Sequence, residues 1–178
     1  MSNVLLHTCC APCASACIER LRADGHDVTL FFSNANIASP EEFARRLASV
    51  CRLAEYMSVP LLSEPADHEA WLAAVRSGGL TPEGGERCRL CFAYSLRRTA
   101  AKSAELGLDC FTTSLSISPH KQTSMLFDTA RTVDAEHFLA EDFKKRDGFK
   151  RSVELSGIYD FYRQRYCGCE FSRPAMPA

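Results

Sequence analysis

Short apolar runs alternate with longer stretches of helical spacing along this chain. Residues 4–7 and 28–33 are rich in β-branched, aliphatic and aromatic side chains, as strands buried on both faces are. Between them, residues 14–24 place Cys17, Ile18 and Leu21 on one stripe, and Gly25 closes the helix. Pro40 followed by Glu41 and Glu42 is a helix start, with a preset φ and acidic groups at the positive end of the dipole. Phe43, Leu47, Val50, Cys51 and Ala54 keep the 3.6 period to about Met57. Pro60 introduces a third short strand over 61–63, and residues 68–76 read as a helix. The glycine-rich stretch 77–86 excludes regular structure and predicts a mobile surface loop. A helix over 87–106, a strand over 110–115, a helix from about Gln122 and a weak strand over 137–139 complete the pattern.

Strands alternating with helices predict right-handed βαβ units. The expected fold class is α/β: a single Rossmann-like domain, residues 1–178, with a mainly parallel sheet, helices on both faces and a short disordered tail from about 174 to 178. Ligands of such sheets bind beyond the carboxyl ends of the strands. Cys9-Cys10, Asn34 and the segment from Ser116 to His120 each follow a predicted strand, so they should converge on one crevice.

Composition narrows the classes. With 178 residues, 46% of them apolar, and a formal net charge of -1, the chain suits one ordinary domain and excludes a polycationic binder. No window approaches a membrane span, and the start lacks a basic, signal-like segment, so a cytoplasmic protein is expected. In that compartment persistent structural disulfides are uncommon. The ten cysteines therefore point towards metal or thiol redox chemistry.

Six of them form three tight clusters. Cys9-Cys10 cannot both enter the core along a strand, but at a strand end, with Pro12 turning the chain, both sulfurs can face one site. Cys88 and Cys91, at i and i+3 on a first helical turn, share a side, where the helix N-terminus favours thiolate. Four thiolates from two segments suit a Zn(Cys)4 site or a [4Fe–4S] cluster. Cys167-Gly168-Cys169 closes only a small strained ring, which fits a redox role better than a structural one. Cys17, Cys51 and Cys110 are expected in the core, and Cys13 stands between spare ligand and packing residue. Lys144, Lys145, Arg146, Lys150 and Arg151, with Arg163 and Arg165, suggest a phosphate-binding patch. Arg87, Arg89, Arg97 and Arg98 surround the CxxC. Tyr159, Phe161, Tyr162 and Tyr166 can stack on bases or pack in the core.

Leu6-His7-Thr8-Cys9-Cys10-Ala11-Pro12-Cys13, Arg87-Cys88-Arg89-Leu90-Cys91, the segment Thr112 to Lys121, Asp142-Phe143-Lys144-Lys145 and the segment Tyr162 to Cys169 together resemble the cobalamin-independent epoxyqueuosine reductases, the QueH-type family. The resemblance runs from about residue 4 to residue 173. It implies an oxidoreductase with a Rossmann-like fold that removes the epoxide oxygen of epoxyqueuosine in tRNA, the last step of queuosine biosynthesis. It implies a [4Fe–4S] cluster on Cys9, Cys10, Cys88 and Cys91, a redox-active pair at Cys167 and Cys169, and leaves room for an additional iron. The implied partners are tRNA carrying epoxyqueuosine in its anticodon loop and an external electron donor, with no membrane. His120, His7 and Tyr166 are candidate proton donors. Two other readings compete. One is a Zn(Cys)4-stabilised tRNA-binding module without redox activity. The other is an ATP-dependent tRNA-modifying enzyme, which needs a Ser-Gly-Gly cradle after strand one; Thr8-Cys9-Cys10-Ala11-Pro12 stands there instead.

Overall fold

The computed structural model describes residues 1–172, so the expected tail at 174–178 lies outside the described residues. Four strands, β1 (Asn3–His7), β2 (Asp27–Phe32), β3 (Leu61–Ser63) and β4 (Cys110–Thr113), form one parallel sheet in the order β3-β2-β1-β4. Helices α1 (Ala11–Ala23), α2 (Pro40–Met57), α3 (His68–Val75) and α4 (Glu86–Glu105) make the crossovers, and α5 (Thr123–Asp134) and α6 (Gly148–Ile158) follow the last strand. The fold class expected from the pattern is the one observed.

Strand residues alternate between two cores. Val4, Leu6, Val28, Leu30 and Phe32 pack with Ile18 and Leu21 of α1, Val50 and Leu53 of α2, and Leu155 of α6. Leu5, Phe31 and Phe111 face the other way, against Phe92 and Leu96 of α4 and Leu126 and Ala130 of α5. The sheet is therefore covered on both faces, which is why its strands read as unbroken apolar runs.

Several elements depart from expectation. α1 begins at Ala11 rather than residue 14, because Pro12 supplies a helical φ inside the first turn. Cys10 becomes its N-cap and Cys13 joins its first turn. The fourth strand stops at Thr113 and continues as a 3-10 turn, Ser114–Ile117. The stretch around 77–86 holds a 3-10 turn, Arg76–Gly78, whose buried Gly78 has no room for a Cβ: one would stand 2.6 Å from the Arg87 Cα. Residues 137–139 contribute an isolated parallel bridge, Phe111 to Phe138. α6 was not expected at all. Its buried face is Ser152, Leu155 and Ser156, too polar to show an apolar period, and it packs on α1.

One cysteine assigned to the core is elsewhere. Cys51 is exposed, because α2 turns Glu42, Arg46, Ser49, Val50, Leu53 and Ala54 inward instead. Cys110, half-buried at the start of β4, packs against the core, and Cys17 is fully buried within it, as expected.

In sheet order the chain runs one way from β1 to β2 and β3 and the other way to β4. The crevice at the carboxyl ends of β1 and β4 is thus a topological switch point. Both segments leaving it carry the predicted chemistry: Thr8-Cys9-Cys10 after β1 and Ser114 onward after β4. Asn34, after β2, ties the crevice together by donating from Nδ2 to the Thr8 carbonyl at 2.9 Å.

Candidate active site

The sulfurs of Cys9, Cys10 and Cys13 lie within 4.8 Å of one another at the start of α1. Ser114, just past β4, accepts from the Cys9 backbone N–H at 3.1 Å and its hydroxyl stands 3.3 Å from the Cys9 sulfur. The Cys13 and Cys9 thiols donate to Cys10, which holds the Cys10 thiol well below its ordinary range. In return Cys9 is pushed up to about 12 and Cys13 is also raised. One end of a helix thus holds three thiols and favours negative charge among them.

The second cluster sits at the start of α4. The Gly84 N–H donates to the Cys88 sulfur at 3.3 Å, and the indole Nε1–H of Trp71 donates to the Cys91 sulfur at 3.3 Å. Burial pushes the Cys91 thiol up to about 12. Trp71, from α3, is fully buried in a small cluster against which both Cys91 and Cys169 pack. Cys88 and Cys91 stand outside the tight group of Cys9, Cys10 and Cys13.

The third cluster is held from α2. Arg46 is 2% exposed and pairs with Glu42 one turn earlier at 2.6 Å. Its two terminal nitrogens donate to the Cys167 carbonyl at 2.9 Å and the Tyr166 carbonyl at 3.0 Å, while Tyr162 donates its hydroxyl to Glu42 at 2.9 Å. The Ala38 N–H adds a bond to the Gly168 carbonyl at 3.0 Å. Gly168 adopts φ +121°, and a Cβ there would meet Ile37 at 3.0 Å and Arg46 at 3.3 Å. Glycine between the two cysteines is therefore required by backbone and space alike. The Cys167 thiol donates to Cys169, which lowers Cys169 to about 5 and raises Cys167.

Cys9, Cys10, Cys13 and Cys167 line one pocket of about 330 Å³, together with Lys121 and Tyr166. Exposed Arg163, Arg165, His120 and Phe149 stand around the same pocket. Lys121 escaped sequence reasoning: it is a single lysine in a loop, although it ends a motif segment. Its ammonium contacts the Cys167 sulfur at 3.3 Å and the Glu83 carboxylate at 3.0 Å. The buried Glu42–Arg46 pair was also missed, because charges at i and i+4 read as a solvated helix face.

Other candidates move away from the pocket. His7 is buried within the sheet, its ring nitrogens bonded to Thr113 Oγ1 at 2.9 Å and the Ser33 carbonyl at 3.2 Å. Burial lowers its pKa to about 4. Tyr159 and Phe161 pack with Tyr56, and Tyr162 serves Glu42. Of the four aromatic residues, Tyr166 alone lines the pocket. The basic run is largely spent internally: Lys144 bonds the Lys121 carbonyl and Thr123, Arg151 pairs with Glu19 and Glu154, and Arg146 with Asp24.

A parallel α/β sheet with clustered thiols at its switch point is a framework that suits an oxidoreductase. Comparison with known proteins makes the class specific. The family profile "Epoxyqueuosine reductase QueH" matches residues 4–175. A protein of Streptococcus pyogenes serotype M1 with that name is 38% identical, over 96% of this chain and 70% of its own length. Namesakes from Thermotoga maritima and Dehalococcoides mccartyi are each 33% identical, covering 97% and 99% of this chain and 91% and 98% of their own. The chain belongs to the epoxyqueuosine reductase QueH family, and is an oxidoreductase of queuosine biosynthesis. Among the described residues no helix is long and apolar enough to cross a membrane.

Proposed function

We propose that this protein reduces epoxyqueuosine to queuosine in tRNA, in the cytoplasm, with residues 1–178 acting as one iron–sulfur reductase domain. The observation that carries the reading is the single pocket lined by Cys9, Cys10 and Cys167 in a chain matched along its length by this family. At about 330 Å³ the pocket suits one modified base turned out of an anticodon loop. Exposed Arg163 and Arg165 at its lining suit the flanking phosphates.

Cys9, Cys10, Cys88 and Cys91 would hold a [4Fe–4S] cluster. The donor set supports this: the sulfurs of Cys9, Cys88 and Cys91 each already stand beside an O–H or N–H donor, from Ser114, Gly84 and Trp71. Cys13, beside Cys9 and Cys10, is left for an additional iron. Bound, the cluster supplies one-electron transfer and a Lewis-acidic iron. Cys167 and Cys169 supply the electron pair. Opening an epoxide to an alkene consumes two electrons and two protons and releases water; closing the cysteine pair to a disulfide supplies the two electrons. An external donor then reopens the disulfide. Arg46 and Gly168 fix the pair, and Tyr166 helps wall the pocket from water.

Anaerobic incubation of iron-reconstituted protein with epoxyqueuosine-containing tRNA and a reductant, followed by nucleoside mass analysis, tests the reading. Loss of one oxygen from the modified nucleoside is expected. No loss defeats the function, and a colourless protein with stoichiometric zinc defeats the cluster.

A further inference from the structure

We infer that Lys121 is a catalytic residue of this site: its ammonium balances the charge of the Cys167/Cys169 dithiol and delivers one of the two protons that leave as water with the substrate oxygen. The inference rests on the epoxide-reduction reading above and assigns a role to a residue which that reading leaves idle.

Geometry singles the residue out. The Lys121 side chain is only 9% exposed, lines the pocket, and places its nitrogen 3.3 Å from the Cys167 sulfur and 3.0 Å from Glu83 Oε1. Its backbone is fixed from two sides: the Lys121 N–H donates to the Ser118 carbonyl at 3.2 Å, and Lys144 Nζ donates to the Lys121 carbonyl at 2.7 Å. A lysine this buried and this restrained is not a solvated charge that strayed near a thiol. The charged and titratable groups nearest Cys167 are Lys121, Glu83 from the loop before α4, Cys91 of α4, Cys169 and Arg46 of α2, and the pocket it lines also holds Cys9, Cys10, Cys13, His120, Arg163 and Arg165. Arg46 spends its donors on two carbonyls and Glu42, so Lys121 is the cation on the sulfur.

The proton count then closes without outside help. Counted with one proton between its two sulfurs, the reduced pair carries a single negative charge, which the Lys121 ammonium 3.3 Å from the Cys167 sulfur balances. Thiol, thiolate, Lys121 ammonium and epoxide are converted to disulfide, neutral Lys121 amine, alkene and water. Two C–O bonds break and one S–S bond forms. The carbon pair is reduced by two electrons and the sulfur pair oxidised by two. One proton comes from the thiol and one from Lys121, and net charge is unchanged.

The timing follows from the same contacts. Burial alone pulls the Lys121 pKa down, and the negative charge shared by the thiol pair, with the Glu83 carboxylate, more than offsets that pull. When the disulfide forms, the sulfur charge disappears while burial remains. The ammonium therefore becomes more acidic at the step that needs its proton, and re-reduction of the disulfide recharges it.

Three variants test this. Lys121→Ala should lower kcat at saturating tRNA by roughly 100-fold, the lower range for a positioned acid, with KM changed less than about threefold. Small primary amines such as ethylamine should restore part of that loss. Lys121→Arg, which keeps a charge but holds its proton, should retain the wild-type rate of iodoacetamide alkylation at Cys167 and Cys169 yet stay deficient in turnover. Lys121→Met should be deficient in both. Wild-type kcat in Lys121→Ala or Lys121→Arg overturns the inference, as does a loss in folded Lys121→Ala that amines leave untouched. If Lys121→Ala does not fold, Lys121→Arg decides alone. Failure of the wild-type protein to convert the tRNA at all defeats the reaction itself, and is distinguishable because no variant is then involved.

Discussion

Buried charge, not apolar bulk, holds the C-terminal thiol segment in place. Arg46 and Glu42 are almost completely enclosed, and between them they satisfy the carbonyls of Tyr166 and Cys167 and the hydroxyl of Tyr162. Arg46→Met leaves a buried carboxylate without its cation, which should cost about 3 kcal/mol in denaturant unfolding, as broken buried pairs do. A value below about 1 kcal/mol would mean that Glu42 finds water. Gly168→Ala combines a positive φ with close contacts to Ile37 and Arg46 and should cost roughly 1–3 kcal/mol. Trp71→Phe keeps the packing but removes the N–H aimed at Cys91. If Cys91 ligates the cluster, its midpoint potential in a redox titration should move to more negative values, because fewer donors then stabilise the sulfur's charge. An unchanged potential would detach Trp71 from the metal. Of these positions only Gly168 was legible beforehand, as the backbone freedom that a small ring between two cysteines requires. Glu42 showed only as an acidic residue at a helix start, and nothing in the sequence marked Arg46 or Trp71.

Elements were legible where burial is apolar and illegible where it is polar. β1, β2 and α2 stood out because they bury runs or stripes of aliphatic and aromatic side chains. Cys51 was misplaced because the inward face of α2 is rotated around a salt bridge that no hydrophobic period reveals. α6 hid behind a basic run and a serine-lined face, although it matters for the site: Phe149 and Ser152, near its N-terminus, line the pocket. Its docking against α1 depends on two residues. Gly148 enters the helix where a Cβ would stand 1.8 Å from the Phe143 carbonyl oxygen, so Gly148→Ala must move the backbone. Leu155, 2% exposed, is the main apolar contact of the buried face. Gly148→Ala and Leu155→Ala should each cost about 2–4 kcal/mol by thermal or chemical unfolding. A Gly148→Ala protein with wild-type stability would show that α6 enters with slack that its packing does not suggest.

At the scale of the molecule, the fold divides the cysteines by where they are anchored. Cys9, Cys10 and Cys13 hang from the β1–α1 corner, Cys88 and Cys91 from the start of α4, and Cys167 and Cys169 from the segment clamped by α2. The crevice between β1 and β4, readable from the strand pattern, explains why Cys9, Cys10, Cys13 and Cys167 line one pocket, whereas Cys88, Cys91 and Cys169 are not among its lining residues. Sequence spacing could pair Cys9-Cys10 with Cys88/Cys91 but could not show that Cys13 lies among Cys9 and Cys10, since that depends on α1 beginning one turn early. The division makes a prediction for iron content that follows anchoring rather than proximity. Serine at Cys9, Cys10, Cys88 or Cys91 should abolish the brown colour and the cluster iron of anaerobically reconstituted protein. The double variant Cys167→Ser/Cys169→Ser should keep both and lose multiple-turnover conversion, because its electron source is gone while its ligands remain. Cys13→Ser is the sharpest arm. With the cluster on two pairs, it retains the visible spectrum and cluster iron. If instead the tight trio is the true ligand core, Cys13→Ser bleaches the protein while Cys88→Ser or Cys91→Ser spares it. Iron counted per chain across these variants decides between the two, because each ligand set predicts a different variant that stays brown.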